Sequence, residues 1–326
     1  MPTSPQEFVV QVIDKIGQTS AGDGLFVETE HGPPNAVFTD EESYSTVAPS
    51  PMAFEYPNNL NISKAIIPSS EQLQQGISGA QEGHFAVCMI HELLHRIQAQ
   101  KPGVQGFFEA ALTIRDLIAV ELMIEAENYA RTAQVAWRIA HDPEKPYQEI
   151  LTYMKQADPE NPFQSSYAIY VAYMSDKPIT EEHELAAMRL VVDDFFFHSQ
   201  MASRYATNRV EQIFTYLQSG RLQDRMQQSS LKAFREWMKD QPILVGLGPD
   251  AADCVYDDII ALSRFGAGET LDFYPGFLDK IRDPRAAYVF LGDEMRKKLV
   301  AIEEFSVQLQ QQFLSEPTHH MPAAEM

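Results

Sequence analysis

Two imidazoles four residues apart on an α-helix project from one face, one above the other. His91 and His95, in the run IHELLHRIQ, have that spacing and can reach a single metal ion. Glu92 follows His91 directly, swung about 100° round the helix, beside the coordination position that the histidines leave open. Two neutral nitrogen ligands with a carboxylate placed to take a proton from a metal-activated water are what a zinc hydrolase needs. Phe85, Met89, Ile90, Leu94 and Ile97 supply apolar packing around the motif. Burying two histidines and a glutamate there without a metal or other partners would cost several kcal/mol. With 9 histidines in 326 residues, such a pattern arises by chance only roughly 0.02 times in a chain of this kind. The competing reading is a surface helix with a fortuitous His-Glu-His face.

The motif, followed by a second long helix containing IEAENYA, resembles the HExxH zinc metallopeptidases, or zincins. It looks most like the metallopeptidase domains of uncharacterised bacterial proteins, over roughly residues 20 to 140. The resemblance implies zinc bound by His91 and His95, Glu92 as general base, and peptide or protein substrates. The longer metzincin motif is absent, because RIQAQKPG follows without a third histidine. That departure points to a glutamate-type site whose third metal ligand lies on a downstream helix.

Glu121 and Glu125 stand 26 and 30 residues after His95, on a helical face shared with Ile114, Leu117 and Ile118. An unpaired carboxylate on such a stripe is costly, and a zinc ion relieves that cost for one of them. The other can orient a ligand imidazole through a hydrogen bond. The sequence Glu125-Ala126-Glu127 resembles the family's pattern of a ligand followed by a small residue and an acid. Glu125 is therefore the expected third ligand, with Glu121, and then Asp116 and Glu127, as alternatives. An unbroken, closely antiparallel helix pair starting near Phe107 would carry Glu125 some 15–20 Å past the histidines and favour Asp116. The Glu125 assignment thus requires a wide crossing angle or a break near Gly106–Thr113. Glu127 is also read as an ordinary ion pair with Arg131 at i+4.

Other residues have weaker claims. Cys88 and His84 share the histidine stripe, but three successive turns of a straight helix do not converge on one small ion, so Cys88 reads as a buried, inert thiol. Gln98 continues the stripe and is either a hydrogen-bond partner of the site or simply exposed. His198 and Tyr205 could donate to a transition state across a cleft, or be core groups. His319 and His320 fall in a tail read as disordered. No phosphate loop, serine elbow or CxxC pair occurs.

The elements that must position these residues follow from the hydrophobic pattern. Ser4, Pro5 and Glu7 open a short helix that stops at Gly17. Residues 24–30, 36–39 and 60–67 read as short strands. Ser78 and Gln81 form a capping box for the HExxH helix, which stops at Pro102 and Gly103. Further helices are expected at 107–140, 148–157, 164–174, 181–218, 229–239, 251–263 and 284–314, the last opened by Asp283 and Pro284. The fold class is α+β, predominantly α-helical. A zincin-like region spans 1–145, with a turn at 141–147 as boundary, then a helical region of unknown role at 146–314 and a disordered tail at 315–326. An extended segment between Ala53 and Pro68 would supply the edge on which a peptide pairs.

Composition sets the outer bounds. Lys and Arg number 25 against 46 Asp and Glu, a net charge of −21, which argues against nucleic acid or an anionic membrane as partner. A 44 % hydrophobic content suffices for a substantial core. No apolar run of about 18 residues or signal-peptide start is found. Only Cys88 and Cys254 are present, and a reducing cytoplasm is the expected location. The functional expectation is a zinc metallopeptidase. The alternatives are a zincin-derived helical binding protein without activity and a metal-dependent hydrolase of a non-peptide amide.

Overall fold

The computed structural model describes residues 2–27, 34–39, 52–55, 59–63, 66–99, 113–156, 158–239, 241–248, 273–274, 276 and 291–315. Among these the protein is predominantly α-helical with one small sheet, an α+β architecture. No helix among them is long and apolar enough to cross a membrane. The expected helix at 251–263, the Asp283–Pro284 start, Cys254, His319, His320 and the tail beyond 315 lie outside the described residues.

Helix α1 (Pro5–Gly17) begins as its residues dictate, with the Ser4 hydroxyl accepting from the Glu7 backbone N–H and Pro5 in the first turn. The expected strand at 24–30 is not formed over its first half: residues 24–27 belong to helix α2 (Ser20–Val27). Two caps explain the difference. Thr19 Oγ1 accepts from the Gly22 N–H at 3.0 Å, and the Asp142 carboxylate, 122 positions away, accepts from the Ser20 backbone and hydroxyl, each at 3.0 Å. Strands β1 (Asn35–Thr39), β2 (Met52–Glu55) and β3 (Asn59–Ser63) form a sheet in the order β1-β3-β2, parallel on one side and antiparallel on the other. Residues 59–63 are therefore central, and the edge within the 53–68 segment is β2, which packs against the HExxH helix.

After α3 (Ser70–Gln75), helix α4 (Gly79–Ala99) carries the motif. Its capping box is formed: Ser78 Oγ accepts from the Gln81 N–H, and Gln81 Oε1 accepts from the Ser78 N–H. Helix α5 spans Ile114–Ala140 and α6 spans Gln148–Met154. Thr113 is not helical and α5 starts at Ile114; the expected start near Phe107 falls within residues 100–112, outside the described residues. The turn at 141–147 returns the chain so that α6 packs on α4. Gly83 permits that packing, because a Cβ there would lie 2.0 Å from the Glu149 carbonyl oxygen. Gly83→Ala must push the two helices apart and is expected to lower unfolding stability by about 1–3 kcal/mol, read from the denaturant midpoint.

Helices α7 (Pro162–Met174) and α8 (Glu181–Asp193) follow. The single helix expected over 181–218 is broken by a π-helical turn at Asp194–His198 before α9 (Met201–Gln218). The wider turn brings Phe195 and Phe196 into the core and leaves Phe197 exposed. Helices α10 (Arg221–Gln228) and α11 (Leu231–Lys239), a 3-10 segment (Pro242–Leu247) and α12 (Asp293–Ser315) complete the described elements. Residues 291–292 are not helical, so the described part of the expected 284–314 helix starts at Asp293.

Two hydrophobic cores result. One gathers α1, the sheet, α4, α6 and the end of α5 around Phe8, Ile62, Phe85 and Ile139. The other gathers most of α5 with α7, α8, α9 and α12 around Leu117, Met188, Val210 and Ile302.

Candidate metal centre

Helices α4 and α5 run antiparallel. The contacts make this explicit: His91 meets residues 128, 129 and 132 of α5, His95 meets Glu125, and Gln98 meets residues 124 and 127. Glu125 lies only 11 residues into α5, and the first turns of α5 run on past the end of α4. Asp116 stands nine residues further back, about 14 Å along the axis; its side chain lies outside the described residues.

His91, His95 and Glu125 converge, each offering a ligand atom, with all three atoms within 4.8 Å of one another. His91 Nε2 stands 3.5 Å from Glu125 Oε2, and His95 Nε2 stands 3.4 Å from Oε1. Ligand atoms on a tetrahedral zinc at ~2.05 Å are ~3.3 Å apart, so both separations suit one ion. Glu125 Oε2 is buried without a hydrogen-bond partner, a costly condition that a cation between the groups relieves. The His₂Glu donor set is also one that zinc favours. The residues present fit the metal.

The outer nitrogens are fixed. His95 Nδ1 pairs with Gln98 Oε1 at 3.0 Å. Gln98 Nε2 donates to the Ile124 carbonyl at 3.0 Å and to Glu127 Oε2 at 2.6 Å. Both partners of that nitrogen only accept, which sets the amide orientation and makes His95 Nδ1–H the donor to Oε1. Glu127, fully buried, is held from behind by Arg131 at 2.7 Å. The expected Glu127–Arg131 pair is present, but its carboxylate belongs to a buried chain that orients His95. His91 Nδ1 pairs with Thr132 Oγ1 at 3.2 Å, and Asn128 Nδ2 donates to the His91 carbonyl at 2.8 Å. Each imidazole thus turns Nε2 toward Glu125. Gln98→Ala is expected to weaken zinc binding about 10–100-fold without unfolding the protein, measured by competition with a chromophoric chelator.

Without metal the three groups share charge. Burial alone would lower the His95 pKa, but the Glu125 carboxylate, aided by Glu92, pushes it up to about 9. Burial, only partly offset by Glu125, depresses His91. Burial would raise Glu125, yet the charge of His95 and the contact of both imidazoles hold it well below the usual carboxylate range. A metal ion bound through His95 Nε2 would have to displace a proton from that ring. An ion bound through His95 is expected to gain about tenfold in affinity per pH unit as pH rises toward about 9, and to level off above that value. The metal-free protein responds with opposite signs at its two limits. His95, raised on folding, stabilises fully below about 6.5 and loses that contribution as pH rises through its folded value; Glu125, depressed on folding, stabilises above about 4.5 and loses it in acid.

Glu92 is buried, and its charge acts on Cys88, His95 and Tyr129. Burial, then Glu92, pushes the Cys88 thiol up to about 12, which keeps it protonated and inert. His84 stacks on Tyr153 with ring centroids 4.9 Å apart, apart from the ligand cluster. Glu121 is outside the ligand cluster and pairs with Arg209 of α9 at 2.8 Å. His198 sits exposed on the π turn.

Tyr205 is at the site. Its hydroxyl lies 2.9 Å from that of Tyr129, whose ring packs against His91. Burial, with the Glu125 carboxylate nearby, holds the Tyr205 phenol well above its ordinary value. Tyr205 also lines a cavity of about 340 Å³ between α5 and α9, reached by His95, Glu121, Glu125, Arg209 and Gln212. The α9 side of this cavity escaped the sequence reading apart from Tyr205. Its signal is visible in retrospect: Tyr205, Asn208, Arg209 and Gln212 recur at i, i+3, i+4 and i+7, a polar stripe beside the buried Ala202, Ala206, Val210 and Ile213.

No protein-family model, curated protein or solved structure gives a significant match to this chain. The side-chain arrangement itself carries the functional argument.

Proposed function

We propose that the protein is a zinc-dependent hydrolase of peptide bonds, built on a zincin-like core. The observation that carries the reading is the convergence of His91, His95 and Glu125, with Glu125 Oε2 buried and lacking a hydrogen-bond partner. Zinc bound by these three residues supplies a Lewis acid for the scissile carbonyl and lowers the pKa of water toward about 7. Glu92 takes a proton from the attacking water and delivers it to the leaving nitrogen. Tyr205, kept protonated by its surroundings, donates a hydrogen bond to the carbonyl oxygen as that atom gains charge. Gln98, Glu127 and Thr132 hold the imidazoles in register.

The edge strand β2, packed against α4, supports the zincin-like reading, because such an edge can align an extended substrate. Cys88, a buried free thiol, fits a reducing cytoplasm. The test is hydrolysis of a mixed peptide library followed by mass spectrometry. Cleavage that is abolished by a chelator and restored by stoichiometric zinc is the expected result. A protein that binds zinc yet cleaves no peptide would leave the metal centre standing and remove the peptidase reading.

A further inference from the structure

The cavity beside the metal centre has a chemical bias that catalysis does not require. It lies between two facing stripes, Ile118, Glu121, Leu122 and Glu125 of α5 and Tyr205, Asn208, Arg209 and Gln212 of α9. Arg209 is the one permanent cation among the described lining residues, in a chain of net charge −21. Its side chain is 11 % exposed, and its partner Glu121 lines the same cavity. A guanidinium carries five N–H donors in a fixed fork suited to a carboxylate. Around it Asn208 and Gln212 add amide donors, and Ile118, Leu122 and Ile124 add apolar wall.

Distance selects what fits. Glu121 and Glu125 are one helical turn apart, about 6 Å along α5. Arg209 reaches Glu121 at 2.8 Å, so the guanidinium stands about one turn from the metal ligands. An extended peptide advances ~3.3–3.6 Å per residue, and one or two residues cover that span.

Resting on the hydrolase reading above, we infer that Arg209 receives the C-terminal carboxylate of the substrate, one or two residues beyond the scissile bond, so that the protein acts as an exopeptidase at free C-termini. The apolar wall takes the terminal side chain. Glu121 occupies the guanidinium when no substrate is present and is displaced from it by the incoming carboxylate. A substrate bound through a free amine on Glu121 is disfavoured, because the ammonium would meet Arg209 at the same point.

The inference is tested by binding, independently of turnover. N-acetyl-leucine and N-acetyl-leucinamide are titrated calorimetrically into the full-length protein, as purified and after chelation. The acid should bind at least tenfold more tightly than the amide in both forms. Arg209→Met should erase that preference, and Arg209→Lys should retain part of it. Glu121→Gln, which leaves the guanidinium in place and removes the carboxylate that competes for it, should bind the acid more tightly than wild type; this variant keeps the test decisive if Arg209→Met folds poorly. Equal affinity for acid and amide, a preference that survives Arg209→Met, or weaker acid binding in Glu121→Gln would each overturn the inference. Acid binding through Arg209 in a protein that cleaves nothing would retain the carboxylate subsite and remove the hydrolase reading. Cleavage with no acid preference would do the reverse.

Discussion

Glu92→Gln is expected to lower peptide turnover by about 10²–10⁴-fold while zinc content and melting temperature stay at wild-type values. The amide is nearly isosteric with the carboxylate but cannot accept the proton of the attacking water. Glu92 sits on α4 one residue from His91 and outside the ligand cluster, so its replacement leaves the donor set intact. Parallel measurement of kcat, KM and bound zinc separates the outcomes. A loss confined to kcat supports the proton-transfer role. Loss of zinc would make Glu92 a ligand, and unchanged turnover would leave it without a part in the chemistry.

His95→Ala should abolish the response of the protein to zinc. A ligand that binds only the folded state stabilises it by about 4 kcal/mol at a thousandfold excess over Kd, so zinc should raise the melting temperature of wild type by several degrees. His95 is one of three converging ligands, and its removal also leaves Glu125, 20 % exposed, without its charged neighbour. Glu125→Ala should behave alike. Glu121→Ala should keep the zinc response, since Glu121 is engaged by Arg209 and not by a ligand imidazole. Zinc-dependent stabilisation that survived in His95→Ala would move the metal elsewhere, and its loss in Glu121→Ala would bring that carboxylate into the site.

What the chain discloses without a structure depends on how far apart the interacting residues lie. The His91–His95 pair is legible because four residues of helix fix the geometry before any tertiary contact forms. The caps at Ser4 and Ser78 are legible for the same reason. The apolar stripe points to Glu121 and Glu125 together, and only a family pattern favours Glu125, since its distance from the histidines depends on where α5 starts. Glu127 shows the limit most clearly. Its local pair with Arg131 is readable, but the amide that its buried carboxylate accepts from belongs to Gln98, 29 residues earlier on another helix. Helix α2 was misread as strand because one of its caps comes from Asp142. The π turn at Asp194–His198 carries no glycine or proline to announce it, only consecutive phenylalanines drawn to a core. The stripe containing Arg209 had a visible period, yet a polar helical face reads as solvated until α5 is known to lie opposite.

Helix α5 serves both cores, its residues from Ile114 to Ala133 packing in one and those from Ala136 to Ala140 in the other. The core that uses its end is built from residues up to about Tyr167, and all three candidate ligands precede that point. On a ribosome, where the chain folds from its N-terminus as it emerges, the three candidate ligands are available while α9 is still unsynthesised. At that stage the apolar stripe of Ile118 and Leu122 lacks its opposite wall, and Arg209 has not yet met Glu121. Under the proposed function, the candidate ligands would therefore be made before the helix that completes the cleft beside them.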